Sequence, residues 1–250
     1  MKKVYINVLL ALLAAFSLNA GEKPFVDFGP AQAFFDIEVH GLVGGSSITQ
    51  NYMSSFPEIS ELDQGTGWSY GIGAAGRFGL RDYLSLGTEV NLLVNTGSTD
   101  MVVNRGDALS VSNVFLKNRY YYLNFPIFMS FNFNLASTVC WNVDGGVYYS
   151  YGIGGNQKQT IYNAKINDIG QLVTTIHNEK CGYFNDSRAF INSSRRSDVG
   201  LHLATGLTFN DRISVGGRAQ IGFKNVANTV GVVKPNVHNL SFMFLVGYHF

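Results

Sequence analysis

Seven ionisable residues that could carry out chemistry occupy alternating positions in otherwise apolar stretches of this chain. They are Glu38, His40, Arg77, Glu89, Asp144, His202 and Arg218. Such groups can exchange protons or form ion pairs, and buried charges are tolerated when they are paired. The set therefore predicts a structural polar cluster inside the protein. A gated path for protons or small solutes is the functional alternative.

Neither a catalytic site nor a cofactor site is predicted. Hydrolases pair a serine with a histidine, but His40 and His202 stand at the same alternating positions as the other residues of the polar cluster and are therefore predicted to point inward. The strand, turn and helix of a nucleophile elbow do not appear in the sequence either. Residues 71–76 match a dinucleotide-binding pattern by letters only, because no βαβ unit follows them.

Two cysteines and one loose group of metal-binding residue types lie in the second half of the chain. Cys140 falls beside a predicted turn and Cys181 in a long polar segment, too far apart for a disulfide, whose Cα atoms lie within about 7 Å. His177 and Glu179 complete a group with Cys181 that could bind a metal. We predict a solvated loop there and no metal site.

The elements that must position these residues are strands. Apolar residues recur at every second position in eight stretches, which is the repeat of a strand with one apolar face. The stretches are about 34–46, 68–80, 84–95, 118–133, 138–151, 199–209, 213–223 and 238–250. Pro126 removes a ladder hydrogen bond within one of them, so we expect a bulge there.

The connections between these strands alternate between long and short. The long ones are 47–65, 96–116, 152–197 and 225–237, and the short ones are 80–82, 134–137 and 210–211. In an antiparallel barrel this alternation places all long loops at one end and all turns at the other. The sequence therefore predicts an all-β, eight-stranded antiparallel up-and-down transmembrane barrel with short periplasmic turns and long extracellular loops.

The beginning of the chain is typical of an exported protein. Two lysines precede an apolar segment at 4–18, which predicts a signal peptide over residues 1–20, with cleavage after Ala20 or, alternatively, after Ser17. Residues 21–33 then form a periplasmic segment, and residues 34–250 form the barrel domain. The predicted location is the outer membrane of a Gram-negative cell envelope.

Aromatic residues at both ends of the strands fit the two interfacial girdles of a membrane barrel. They are Trp68, Tyr70, Phe78, Trp141, Tyr149 and Tyr151. Alternation alone leaves a periplasmic lipocalin-like ligand carrier open, but an apolar pocket would not tolerate the seven ionisable residues on the other face. Phe250, at the end of the closing strand, is predicted to act as an assembly signal for the barrel-assembly machinery.

With the strands in place, the chain resembles the PorT-type outer-membrane β-barrel family, which shares the small OmpA-like barrel architecture. The resemblance rests on residues 71–93, 120–133, 143–153 and 198–207 and on the closing strand. PorT itself is implicated in a secretion system, so the resemblance implies, as an alternative role, an accessory component of an envelope secretion or assembly machine.

Charge excludes one class of partner and suggests another. Charged residues make up 14% of the chain and the net charge is +1, without the basic stripe of a nucleic-acid-binding protein. We predict a non-catalytic barrel with a structural or surface-interaction role and an unidentified extracellular or periplasmic partner. Basic residues of the third long loop could meet lipopolysaccharide phosphates or be simply solvated: Lys158, Lys165, Lys180, Arg188, Arg195 and Arg196.

Overall fold

The alternating pattern folds into antiparallel strands in a computed structural model that describes residues 24–31, 34–104, 110–189 and 194–250. Within these ranges one short helix, α1 (Tyr52–Ser55), accompanies ten strands. They are β1 (Phe35–Gln50), β2 (Ile59–Gly65), β3 (Gly67–Arg81), β4 (Leu84–Asn104), β5 (Ser110–Ala136), β6 (Val139–Ile166), β7 (Leu172–Gly182), β8 (Ser197–Phe209), β9 (Ile213–Gly222) and β10 (Val237–His249). The predicted signal peptide lies outside the described residues.

Eight of the strands close into a ring. The order is β1, β3, β4, β5, β6, β8, β9 and β10, and all neighbours are antiparallel. The first and last strands close it in a register that runs from Glu38 opposite His249 to Gln50 opposite Val237. The predicted eight-stranded up-and-down barrel is confirmed.

Short turns join the strands at one end of the ring. In the turn between β8 and β9, Asn210 and Asp211 have φ angles of 51° and 53°, the left-handed region that tight hairpin turns require and that these two residue types tolerate. The other short connections are Asp82–Tyr83 between β3 and β4 and Ser137–Thr138 between β5 and β6. This end corresponds to the predicted periplasmic side.

The long connections are not the loops that the sequence predicted. β4 continues to Asn104, β5 begins at Ser110, and β6 runs to Ile166, where the hairpin strand β7 returns along it. β2 pairs with the far part of β4. These stretches were predicted as loops because polar residues interrupt their apolar alternation. In the structure Met101, Val103, Val114 and Leu116 pack into a buried apolar cluster on the inner face of β4 and β5, and backbone pairing with neighbouring strands satisfies the hydrogen bonds.

The predicted bulge at Pro126 is also wrong. Pro126 pairs with Tyr148 on β6 in unbroken register, and on the β4 side the register is the same before and after it. Thr88 donates a hydrogen bond of 3.1 Å to the Pro126 carbonyl. The missing N–H interrupts the ladder locally without inserting an extra residue.

The faces of the barrel strands divide cleanly. Along β10, the outward Phe242, Phe244 and Val246 are more than half exposed, whereas the inward Met243 is fully buried. No helix in the described ranges is long and apolar enough to cross a membrane. The barrel therefore carries apolar side chains on its outside and mostly polar side chains on its inside.

Candidate functional site

The candidate site is the interior of the barrel, because all seven ionisable residues of the sequence prediction lie there. Six of them are buried, and the Arg77 side chain is 14% exposed. Period-two alternation explains this placement, since each stands at an inward position of β1, β3, β4, β6, β8 or β9. The chain thus brings three carboxylates, two guanidinium groups and two imidazoles into one lumen.

Glu89 and Arg218 form the central pair. Arg218 Nη2 lies 2.7 Å from Glu89 Oε1 and 2.6 Å from Oε2, and both side chains are almost fully buried. Asn91 donates to the same carboxylate at 2.9 Å, and its own Oδ1 lies 2.7 Å from His40 Nε2. A buried charge pair with this supporting network is costly to break, because removing one partner leaves the other charge unpaired.

A second pair lies nearer the short turns. Arg77 donates to Glu38 Oε2 at 2.7 Å, and Ser214 donates to Oε1 of the same carboxylate at 3.1 Å. Arg77 also lies 4.0 Å from Asp144, which accepts a hydrogen bond from Ser130. The two pairs and Asp144 surround a cavity of about 30 Å³, enough for one or two water molecules.

An amide layer lies beside the central pair, and the sequence analysis did not identify it. Asn124 donates to Ser150 at 2.7 Å, and Gln220 lies 3.2 Å from both Asn124 Oδ1 and His202 Nδ1. All four are buried. These residues stand at the same inward positions as the charged ones, but neutral amides are common on both faces of a strand and so give a weaker signal in the sequence.

The turn-side mouth of the barrel contains a polar vestibule of about 310 Å³, lined partly by Asp36, Arg77, Asp82, Asp211 and His249. His249 Nδ1 lies 2.8 Å from Asp36 Oδ2. The sequence prediction did not include this pair, whose members stand near opposite ends of the barrel domain and meet only when β10 pairs with β1.

The described part of the segment before β1 packs against the same rim. The Phe25 and Phe133 rings stack with centroids 5.2 Å apart, and the Asn134 and Asp82 amides donate to the carbonyls of Phe25 and Gly29. This contact ties residues 24–31 to the turn-side end of the barrel.

Aromatic side chains cover the opposite mouth. The Tyr120 and Tyr183 rings stack with centroids 4.1 Å apart, and Phe184 packs against Tyr122. Arg196 lies over the Phe184 ring at 5.6 Å and donates to the Gly152 carbonyl at 2.7 Å. We call Tyr120, Tyr122, Tyr183 and Phe184 the aromatic cap, since they close the barrel above the polar lumen.

The described residues do not form the arrangement that a catalytic or a metal site would need. Residues 67–71 spell a G-x-S-x-G pattern, but Ser69 stands inside β3 and donates to Asn95 at 2.6 Å. In the described ranges no group of three His, Cys, Asp or Glu side chains could hold a metal. His177 Nε2 lies 3.6 Å from Glu179, while Cys181 is buried beside Gln159.

The two cysteines lie on different strands and far apart along the length of β6. Cys140 is beside the turn that opens β6, and Cys181 pairs with Gln157 in the outer part of the same strand. At about 3.3 Å per residue, the seventeen residues from 140 to 157 span more than 50 Å.

The aromatic residues predicted for the two girdles all point outward. Their exposed fractions range from 37% for Trp141 to 69% for Trp68. Trp68 and Tyr70 lie near the long-connection end of β3, and Phe78 lies near its turn. Phe250 is 81% exposed, and its N–H donates to the Ile37 carbonyl.

Comparison with known proteins gives similarity of fold only. No family model and no curated protein matches the sequence. OprG, an outer-membrane protein of Pseudomonas aeruginosa, is 12% identical over 90% of this chain and 99% of its own, with a TM-score of 0.38. Ail of Yersinia pestis, solved with the heparin analogue sucrose octasulfate, is 10% identical over 87% and 100%, with a TM-score of 0.36.

A third solved structure, Neisserial surface protein A, is 12% identical over 87% of this chain and 98% of its own, with a TM-score of 0.32. Similarities this low assign no role to the chain, and the PorT-type resemblance remains a prediction. The fold and the lumen together define the class: a small antiparallel β-barrel with an apolar exterior and a filled polar interior.

Proposed function

We propose that the chain is an integral outer-membrane β-barrel without catalytic activity that serves a structural or surface-interaction role. The observation that carries this proposal is the apolar exterior, to which every strand of the ring contributes a large exposed side chain. Examples, one from each strand, are Val39, Ile72, Val90, Ile127, Val147, Leu203, Val215 and Phe244. Soluble monomers rarely expose apolar surface on this scale, whereas the hydrocarbon layer of a membrane covers it.

The polar lumen argues against the ligand-carrier alternative. A lipocalin-like barrel would enclose an apolar pocket, whereas here the interior holds buried ion pairs around a cavity of about 30 Å³. Closed by the aromatic cap and filled by side chains, the barrel suits anchoring better than transport.

Interaction with a partner is assigned to the outer part of the molecule. β5 and β6 have 27 and 28 residues, whereas about 9 to 11 tilted residues cross the hydrocarbon layer. The remainder, together with β2 and β7, forms an extension beyond the barrel. Loops and extensions on a rigid barrel are free to vary and bind, so an extracellular partner would contact this region.

The other partners follow from the proposed location. The exterior contacts outer-membrane lipid and lipopolysaccharide, and insertion requires the barrel-assembly machinery, with Phe250 as part of the signal. A role as an accessory component of a secretion or assembly machine, which the PorT-type resemblance implies, would instead use the turn-side rim. Co-purification of inner-membrane or periplasmic proteins that is lost when residues 24–31 are replaced would favour this alternative.

The proposal is tested by fractionation, by gel migration of heated and unheated samples, and by trypsin added to intact cells. We expect the protein in the outer membrane, a migration shift on heating, and the first cut at Lys165, beside the connection between β6 and β7. A soluble periplasmic protein without a heat shift would contradict the proposal.

A further inference from the structure

Three lysines stand side by side on the outer face of the extension. Lys117 on β5 pairs directly with Lys158 on β6, and Lys158 pairs directly with Lys180 on β7. Direct cross-strand partners point to the same face, and all three residues are exposed. Neighbouring strands lie about 4.8 Å apart, so this lysine row (Lys117, Lys158 and Lys180) is about 10 Å long at the backbone.

A bulge in β6 aims the middle lysine outward. Tyr122 pairs with Gly152 and Tyr121 with Gly154, so one extra residue enters β6 at this point. The outward positions of β6 change from odd numbers before the bulge to even numbers after it. As a result Lys158 points outward, and its neighbours Gln157 and Gln159 are buried.

The lysine row lacks protein counter-charges. Like charges at directly opposed positions are destabilising, and among the described residues no carboxylate lies within 4.0 Å of any of the three ammonium groups. Asp100 lies diagonally across from Lys117 without forming an ion pair. By contrast, Arg188 pairs with Asp186 at 2.8 Å, and Arg196 is held by Gly152.

The height of the row matches a lipid headgroup layer. Along the outward face of β5, apolar positions extend from Phe131 to Tyr121, and then Arg119 and Lys117 follow. Arg119 lies 5.8 Å from the centre of the Tyr121 ring and donates to the Tyr70 hydroxyl at 3.1 Å. On β5, the first exposed charges above the predicted outer aromatic girdle are therefore Arg119 and then Lys117, the first member of the lysine row.

We propose that the lysine row binds the phosphate groups of a phosphorylated lipid headgroup in the outer leaflet of the membrane that the barrel spans. Phosphate monoesters supply the missing counter-charge, and lysine binds phosphate as a point charge on a flexible stem. This inference rests on the proposed function and identifies a partner for one face of the extension. The position directly above the girdle favours a membrane lipid over a soluble polyanion, which could approach any exposed face.

The test compares two double variants that each remove two positive charges. K158Q/K180Q removes two members of the row. K165Q/K234Q removes two exposed lysines elsewhere, Lys165 being on the opposite face of β6. Native mass spectrometry of the detergent-solubilised protein measures binding of bisphosphorylated lipid A and of its dephosphorylated form, with inorganic phosphate and heparin as competitors.

We expect wild type and K165Q/K234Q to bind the bisphosphorylated lipid more tightly than the dephosphorylated one, and K158Q/K180Q to bind it roughly three- to tenfold more weakly, as expected for two exposed charge contacts. The charge-conserving variant K158R/K180R should retain binding. Equal losses in the two Gln variants, equal binding of the two lipids, or displacement of the lipid by millimolar inorganic phosphate or by heparin would overturn the inference.

Failure of this inference is distinguishable from failure of the proposed function. All variants are first checked for outer-membrane location and heat shift. A protein that inserts normally but does not discriminate between the two lipids contradicts the lysine row alone. A protein that is absent from the outer membrane contradicts the proposed function.

Discussion

At the scale of single residues, the lumen is a set of charges whose stability depends on their partners. Glu89 and Arg218 are 2% and 1% exposed, so neither can be compensated by bulk water. The net attraction between the two charges is therefore expected to contribute little to stability. Removing one partner alone is expected to be strongly destabilising, because the other charge is then left buried and unpaired.

Replacing Glu89 by Gln leaves the Arg218 charge buried and unpaired. We expect the free energy of unfolding in urea to fall by about 3 kcal/mol. The double variant E89Q/R218M should recover part of the loss, since it removes both charges. If E89Q unfolds at the wild-type urea concentration, the pair does not have the role assigned to it.

The reactivity of the Cys181 thiol can be used to measure how tightly the outer end of β7 is packed. Burial raises the pKa of its thiol, so a thiolate-selective reagent should react slowly near neutral pH and faster as the pH rises beyond the ordinary cysteine range. Asp186 accepts the Gly182 N–H at 2.7 Å, and the hydrogen bonds from Arg188 lower the pKa of the Asp186 carboxyl.

In a Cys140→Ser background, Asp186→Ala removes these hydrogen bonds and should increase the labelling rate of Cys181 several-fold at pH 8. Asp186 is ionised throughout the neutral range, and the lowered pKa of its carboxyl should extend the protection toward acid pH. An unchanged rate in D186A would show that Asp186 does not hold this end of the hairpin closed.

Sequence reasoning placed the charged lumen residues well but not their neutral partners. Glu89 and Arg218 stand out as isolated charges among apolar neighbours, so parity alone locates them. Asn124 and Gln220 carry the same parity without a charge. That Asn124 and Gln220 meet across the lumen depends on the ring closing, which no local pattern contains.

At the scale of elements, the bulge in β6 decides which side chains face outward on the extension. A Cβ atom at Gly155 would lie 2.7 Å from Tyr120 Cβ and 2.8 Å from the Arg119 carbonyl, whereas at the adjacent Gly154 it would meet nothing within 4 Å. The two glycines therefore make a matched pair for testing the bulge.

Gly155→Ala is expected to lower the free energy of unfolding by about 1–3 kcal/mol through overpacking against β5, while Gly154→Ala should change it much less. The loosened hairpin of G155A should also be cut faster by trypsin at Lys158. Equal stability and equal cleavage of the two variants would contradict the packing described at the bulge.

The extension was the part of the fold that the sequence did not predict. Residues 152–166 lack the continuous period-two apolar face that identified the barrel strands, since the outward positions directly after the bulge are Asn156, Lys158 and Thr160. Their strand structure comes from pairing with β5 and β7, and the one-residue shift in register has no signal beyond a cluster of glycines.

At the scale of the whole molecule, the eight-stranded ring encloses an interior that its own side chains fill. The aromatic cap closes one mouth, and the ion pairs fill the middle. An eight-stranded barrel leaves just enough room for such side chains. This filled interior supports the proposed role as an anchored platform for the extension and argues against a pore.

Reconstituted into a planar bilayer, the protein should show no steady single-channel conductance. The variant Y183A/F184A, which weakens the aromatic cap, should remain silent as well, because the ion pairs still fill the lumen below. Steady conductance steps from the wild-type protein would contradict the filled interior, and steps from the cap variant alone would assign the seal to the cap.

The central claim is that the apolar exterior contacts membrane lipid. The most direct test attaches a spin label at single cysteines along β10, with the two native cysteines replaced by Ser, and measures collisions with oxygen and with a water-soluble nickel complex in reconstituted bilayers. Outward positions 242, 244 and 246 should favour oxygen, with a maximum near Phe244, whereas the inward position 243 should be shielded from both. Strong nickel collisions at position 244 would place that face in water and contradict the account.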